Sequence, residues 1–255
     1  MYASLLLVSA LGACSALAAP VTPDLKLAPS IDTVSEYFNM LAATIKGVKP
    51  GPVPVCDISK AKLPAGASGL APPSAGFKIK HIALGRGTQN YTCDLSKPDE
   101  APKAAGAVAT LFDASCVVSA YPDLARSLGK VAMQFNLTSA ESKLNPSNLA
   151  ISGHHFFTGP TTPFFDLDVS TKKLGHANCA KDGATPAPAN APKGQKGEAA
   201  VPWLKLLTIS GATGNLREVY RVETVGGSAP ATCQGLPAGF TVQYAAQYWF
   251  YEGKA

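Results

Sequence analysis

The chain has 255 residues, 46% of them hydrophobic and 15% charged, with 23 Gly and 21 Pro. That composition excludes a disordered chain and describes a folded, turn-rich protein. The net charge of +5 comes from scattered Lys and Arg rather than a basic stripe with interleaved aromatics, so no nucleic-acid partner is expected.

Leu5 to Leu17 is an uncharged apolar run followed by Ala16-Leu17-Ala18, the small-x-small pattern of a signal-peptidase site. Cleavage is expected after Ala18, giving residues 1–18 as a leader and an exported, extracellular or cell-wall product. Leu11-Gly12-Ala13-Cys14 has the form of a lipoprotein box, but no Lys or Arg precedes the run. At about thirteen residues the run is shorter than the roughly 20 needed to cross a bilayer, and no later stretch supplies a transmembrane segment. Asn90-Tyr91-Thr92 and Asn136-Leu137-Thr138 are glycosylation sequons in such a product, whereas Asn145-Pro146-Ser147 is blocked by its proline.

Residues 19–76 read as a helix and a covering segment. The helix, Ser30 to Gly47, has a capping box at Thr33/Glu36 and an apolar face of Val34, Tyr37, Phe38, Leu41 and Ile45. Pro50 to Gly76 is rich in Pro, Gly and Ala and reads as an extended loop anchored by Cys56.

Residues 77–255 read as a single β domain. Phe77 to Cys93 predicts two short strands broken at Gly85-Arg86-Gly87, and Val108 to Phe112 another. Pro122 to Phe135 reads as a short helix or a covering loop. Leu149 to Phe157 and Phe164 to Val169 are strands about the Gly159-Pro160 turn, and Ala180 to Ala200 is a low-complexity, mobile loop. Trp203 to Ile209 is a nearly continuous apolar strand. In Leu216 to Val225, Leu216, Tyr220 and Val222 are placed on one face and Arg217, Arg221 and Glu223 on the other. Val242, Tyr244, Ala246, Tyr248 and Phe250 share a face opposite Gln243, Ala245, Gln247, Trp249 and Tyr251. Seven to nine such strands predict an all-β fold, an antiparallel β-sandwich or flattened barrel with an N-terminal helix and long covering loops.

With Cys14 in the leader, Cys56, Cys93, Cys116, Cys179 and Cys233 remain, predicting two disulfides and one free thiol in an oxidising compartment. No C-x-x-C spacing is present, which removes redox and zinc-ribbon readings.

The chemistry-bearing residues are few. His154 and His155, with Asp166 and Asp168 across a predicted hairpin, form a candidate divalent-metal set for activating water, although adjacent strand histidines face opposite ways. The plainer role is a hydrogen-bonded strand histidine beside turn acids. Arg86, Gln89 and Tyr91 form a polar line suited to a sugar or peptide, and Trp249 and Tyr251 a stacking platform. Against this, Gln89 at a glycine bulge can serve the backbone, and a terminal strand can be buried on both faces. No G-x-S-x-G elbow or H-E-x-x-H helix is present, and no cofactor is expected beyond that metal.

Gly85-x-Gly87-x-Gln89-x-Tyr91-x-Cys93, Gly153-His154-His155-Phe156, Val201-Pro202-Trp203-Leu204, Tyr220-Arg221-Val222-x-Thr224-x-Gly226-Gly227-x-Ala229-Pro230 and Tyr244-x-Ala246-x-Tyr248-x-Phe250-Tyr251 occur in order. Over Phe77 to Glu252 this pattern resembles a secreted family of bacteria and fungi catalogued as a domain of unknown function (DUF3455) and is similar to its fungal members. The resemblance implies Cys93 with Cys233 as one bridge. Fungal members often carry the automatic label malate dehydrogenase. A dinucleotide site, however, needs a glycine-rich turn between strand and helix, and the residues after Gly87 read as strand. The expected function is therefore non-enzymatic binding of an extracellular glycan or a host or cell-wall component. A metal-dependent hydrolase and an effector or structural protein with a protein partner are the alternatives.

Overall fold

In the computed structural model, the alternation of Val242 to Phe250 becomes strand β9 (Gly239–Glu252), whose two faces enter two different cores. The structure describes residues 56–135, 143–144 and 147–254, together with Asn39, Leu41 and Ala43. Ahead of β9 come β1 (Lys78–Thr92), β2 (Lys103–Asp113), β3 (Lys143–Leu144), β4 (Leu149–Gly159), β5 (Thr162–Val169), β6 (Lys172–Thr185), β7 (Trp203–Thr208) and β8 (Leu216–Gly226). All pairings are antiparallel, in the order β2-β1-β9-β8-β7-β6-β5-β4-β3. A further ladder between β2 and β4, with Ala109 opposite His155 and Leu111 opposite Gly153, closes eight strands into a barrel, leaving β3 as an appendage of β4. Two-residue turns fix the β4–β5 and β5–β6 registers.

Tyr244, Ala246, Tyr248 and Phe250 point inward with Ala83, Leu111, Phe165, Leu167, Ala177, Cys179, Leu206 and Val219. The interior is filled by side chains, as the small circumference of eight strands requires. The strand break predicted at Gly85 to Gly87 is absent, and β1 runs through it. A Cβ on Gly85 would lie 2.5 Å from the Tyr248 ring, so the glycine makes room for β9 rather than ending β1. No helix follows these glycines, so they do not form a dinucleotide turn.

The outward residues Ile82, Leu84, Phe112, Tyr220, Val222, Trp249 and Tyr251 form the second core. It is covered by helices α1 (Ser115–Ala120) and α2 (Pro122–Ala132) and by the segment with 3-10 turns at Ile58–Lys60 and Ala65–Gly69. Pro122 starts α2 with its fixed φ, and Leu124, Ala125, Leu128, Val131 and Ala132 give it one apolar face. Burying each leucine there contributes about 1.5–3 kcal/mol. Arg86 and Gln247 dock the helix: Arg86 Nε donates to Ala132 O at 3.3 Å and Gln247 Nε2 to Ala125 O at 3.2 Å. Leu41 packs on the same core, and Asn39, Leu41 and Ala43 are helical; the rest of the helix predicted over Ser30 to Gly47, like the leader, lies outside the described residues.

Two further expectations are corrected. On β8 a register shift between Leu216 and Glu218 rotates the strand, so Leu216, Val219 and Arg221 face inward while Tyr220 and Val222 face outward. The segment read as a loop from Ala180 begins as strand, since β6 extends to Thr185. Its remainder is tied down by Gly194 N to Glu198 O at 2.8 Å, Gly226 N to Pro192 O at 3.2 Å and a Gln195 bond to Met133 O.

Cys93 bridges Cys233, the pairing the resemblance implied, and Cys56 bridges Cys116, fastening the covering segment to α1. Cys179 is a buried free thiol inside the barrel, and burial pushes it up to about 12, which keeps it protonated and unreactive.

Candidate functional site

The two adjacent histidines part, as strand geometry requires. His155 faces the interior, stacks on Phe165 at 4.3 Å and hydrogen-bonds through Nδ1 to Phe164 O at 2.8 Å. His154 is exposed on the outer face, opposite Asp166, which is in turn opposite His176 of β6. The carboxylates serve the hairpin backbone: Asp166 Oδ1 accepts from Asp168 N at 3.0 Å, and Asp168 Oδ1 from Gly175 N at 2.8 Å. The structure thus brings together His154, Asp166 and His176 but separates His155 from them. Among the described residues no group of three or more His, Cys, Asp or Glu could hold a metal ion.

The outer face of β4 to β6 carries more than this row. Phe156 and Phe164 are cross-strand partners with ring centroids 5.0 Å apart, and Phe156 is 38% exposed. His176 lies 5.9 Å from Phe164, and Thr158 Oγ1 donates to Asn178 Oδ1 at 2.6 Å. Ladder register sets exposed Val108 beside Phe156, and the bond from Ile209 N to Asn178 O sets exposed Ile209 at the other end. The result is an open aromatic shelf bordered by imidazole, carboxylate, amide and hydroxyl groups. Sequence reasoning missed Phe156 and Phe164, although their places in the alternation beside outward His154 and Asp166 already turned them to the surface.

The other predicted site residues are dispersed. Arg86 lies beneath α2, donating also to Gly87 O at 3.2 Å and to Gln243, and burial lowers its pKa to about 10. Trp249 is 1% exposed and donates to Gln247 Oε1 at 3.1 Å; Tyr251 packs edge-on against Tyr220 at 5.5 Å. Both lie in the core under the covering segment, so they present no open stacking platform. Gln89 and Tyr91 do meet, at the barrel end near Gly227, where Tyr91 Oη donates to Gly227 O at 2.8 Å. Of the sequons, Asn90 is half-buried on β1 and Asn136 lies outside the described residues. A groove of about 470 Å³ at the opposite end, lined by Phe77, Lys78, Asn215, Glu252 and Lys254 among others, collects none of these residues.

One constellation was not visible in the sequence. His81 Nε2 lies 2.9 Å from Ser152 Oγ, its Nδ1 lies 3.1 Å from Ser115 Oγ, and Asp113 Oδ1 is 3.8 Å from that nitrogen. The residue types are those of nucleophilic catalysis, but Ser152 is 0% exposed, which denies a substrate access. The cluster instead joins α1 to the barrel, with Ile82 N donating to Ser115 Oγ at 3.1 Å.

Burial lowers His81 and His155 from 6.5 to about 4. In this window the unfolded chain binds more protons than the folded one. Stability is therefore full above pH 6.5 and falls by up to about 1.4 kcal/mol per pH unit for each histidine as pH drops towards 4. Urea midpoints from pH 7 to 4 are expected to show this slope, and to show it reduced in His81→Asn; an unchanged slope in that variant removes His81 as a source.

Among the described residues, no helix is long and apolar enough to cross a membrane. A family model described as "Protein of unknown function (DUF3455)" matches residues 73–252. No curated protein and no solved structure matches the chain.

Proposed function

We propose that the chain, which belongs to the DUF3455 family of proteins of unknown function, is an exported binding protein that takes an extracellular or cell-wall glycan on the Phe156/Phe164 shelf. The observation that carries this reading is an aromatic pair, Phe156 exposed and Phe164 half-buried beside it, ringed by hydrogen-bonding side chains, the pairing that the apolar face and hydroxyl rim of a sugar ring require. The two disulfides fit an oxidising compartment and a rigid frame that binds without moving parts.

The test is retention of the purified protein on chitin, β-glucan, cellulose and mannan, beside Phe156→Ala and Phe164→Ala. Retention on one polymer is expected, with at least about a tenfold loss in each variant, the equivalent of about 1.4 kcal/mol of stacking, and an unchanged unfolding temperature. No retention of the wild type on any polymer, or equal retention of both variants, ends the reading.

A further inference from the structure

Arg221 is a buried cation of the barrel that, like Arg86, has no carboxylate partner among the described residues and, unlike Arg86, leaves its Nε unsatisfied. It faces inward, opposite Tyr248 on β9 and Leu204 on β7, and is 9% exposed. Its Nη2 donates to Pro202 O at 2.9 Å, but its Nε is buried with no acceptor. Buried Lys205 has Glu218 at 3.2 Å, whereas no carboxylate among the described residues pairs with Arg221. Its charge acts instead on Tyr91, His155, Tyr244 and Tyr248. Burial raises the three phenols and lowers His155 to about 4, so all four are neutral near pH 7. Gln89, whose side-chain amide reaches the Tyr244 hydroxyl, holds a second buried donor, Nε2, that meets no acceptor in good hydrogen-bonding geometry. Tyr244 Oη and Tyr248 Oη lie 2.8 Å apart between these groups.

We propose that Arg221 and Gln89, at the barrel end bounded by Tyr91, Pro202 and Gly227, form a binding site for a carboxylate group. A buried guanidinium without a counter-charge is costly, and two N–H donors with no well-placed acceptor beside the Tyr244 and Tyr248 hydroxyls mark where a stronger acceptor fits. A single cation in aromatic surroundings favours a monoanion, because a dianion would bring in an unpaired second charge. The planar guanidinium edge matches the planar carboxylate. The occupant is small, or is the carboxylate end of something larger, because tyrosine rings fill the barrel beyond. This site is independent of the aromatic shelf, which lies on the outer face of β4 to β6.

The experiment is thermal unfolding of the whole protein in rising acetate or glucuronate, with chloride and phosphate at matched ionic strength. Acetate and glucuronate separate a free small acid from a sugar acid. A concentration-dependent rise in unfolding temperature is expected with at least one carboxylate, beyond that in chloride or phosphate. Arg221→Met is expected to lose that rise while its ligand-free unfolding temperature matches or exceeds the wild type, since it removes an unpaired charge. Gln89→Leu is expected to weaken the apparent affinity about tenfold and keeps the test decisive should Arg221→Met fail to fold. No response to either carboxylate, an equal rise with phosphate, or an undiminished response in Gln89→Leu overturns the proposal. None of these outcomes bears on polysaccharide retention, so the two sites stand or fall separately.

Discussion

Replacing Glu218 by alanine is expected to destabilise the protein by about 3–5 kcal/mol, the range found when one partner of a buried ion pair is removed. Glu218 is 1% exposed; its Oε1 lies 3.2 Å from Lys205 Nζ and accepts from Ser74 Oγ at 2.6 Å, and its Oε2 accepts from Ser74 N at 3.3 Å. Without it, Lys205 keeps Pro72 O at 3.1 Å, Asp182 at 3.9 Å and the Tyr220 ring at 5.5 Å, too little to neutralise an ammonium buried this deeply. Ser74 also loses its acceptor, which leaves the covering segment held to β8 by the bond from Tyr220 Oη to Ala71 O at 2.8 Å. Lys205→Met with Glu218→Leu is expected to recover most of the loss, because an apolar pair removes the stranded charge together with its cost of desolvation. Urea unfolding of the two single variants and the double variant measures the coupling directly. A Glu218→Ala loss below about 1 kcal/mol refutes the pair as the fastening of that segment.

Gly87→Ala is the second large effect. A methyl group there would sit 1.9 Å from Val108 O and 2.6 Å from Ala109 Cα, both in the backbone of β2, so the β1–β2 ladder must open to admit it. The expected loss exceeds about 4 kcal/mol, in the class of backbone overpacking. Gly239→Ala, whose added carbon meets nothing within 4 Å, is expected to stay within about 0.5 kcal/mol and serves as control. Comparable unfolding temperatures for the two variants would falsify the close approach of β1 to β2.

These effects show where the sequence was legible. The inward set on β9, the opposed faces of His154 and His155 and the helix after Pro122 are local periodicities, and each is present. Trp249 was misjudged because alternation shows that a strand has two faces but not what covers them. Its cover is α1, α2 and a segment far away in sequence, fastened by Cys56–Cys116. Gly85 and Gly87 read as a break for the same reason: the demand for them comes from Tyr248 and from β2, not from their neighbours. A one-residue shift on β8 was enough to put Leu216 on the face of Arg221 rather than on that of Tyr220 and Val222. His81, Ser115 and Ser152 come from β1, α1 and β4, and the β2–β4 ladder that makes this a barrel spans both helices; no spacing in the chain announces either.

The longest ladder joins β1 to β9, from Lys78 opposite Glu252 to Thr92 opposite Gly239. The first and last strands of the barrel are therefore neighbours, and β9 is the shared wall of both cores. A ribosome delivers β9 last, so neither core can form until synthesis of the domain is nearly finished. Loop closure over such a separation is slow. Until then the apolar faces that both cores will bury stay open to any other chain that meets them.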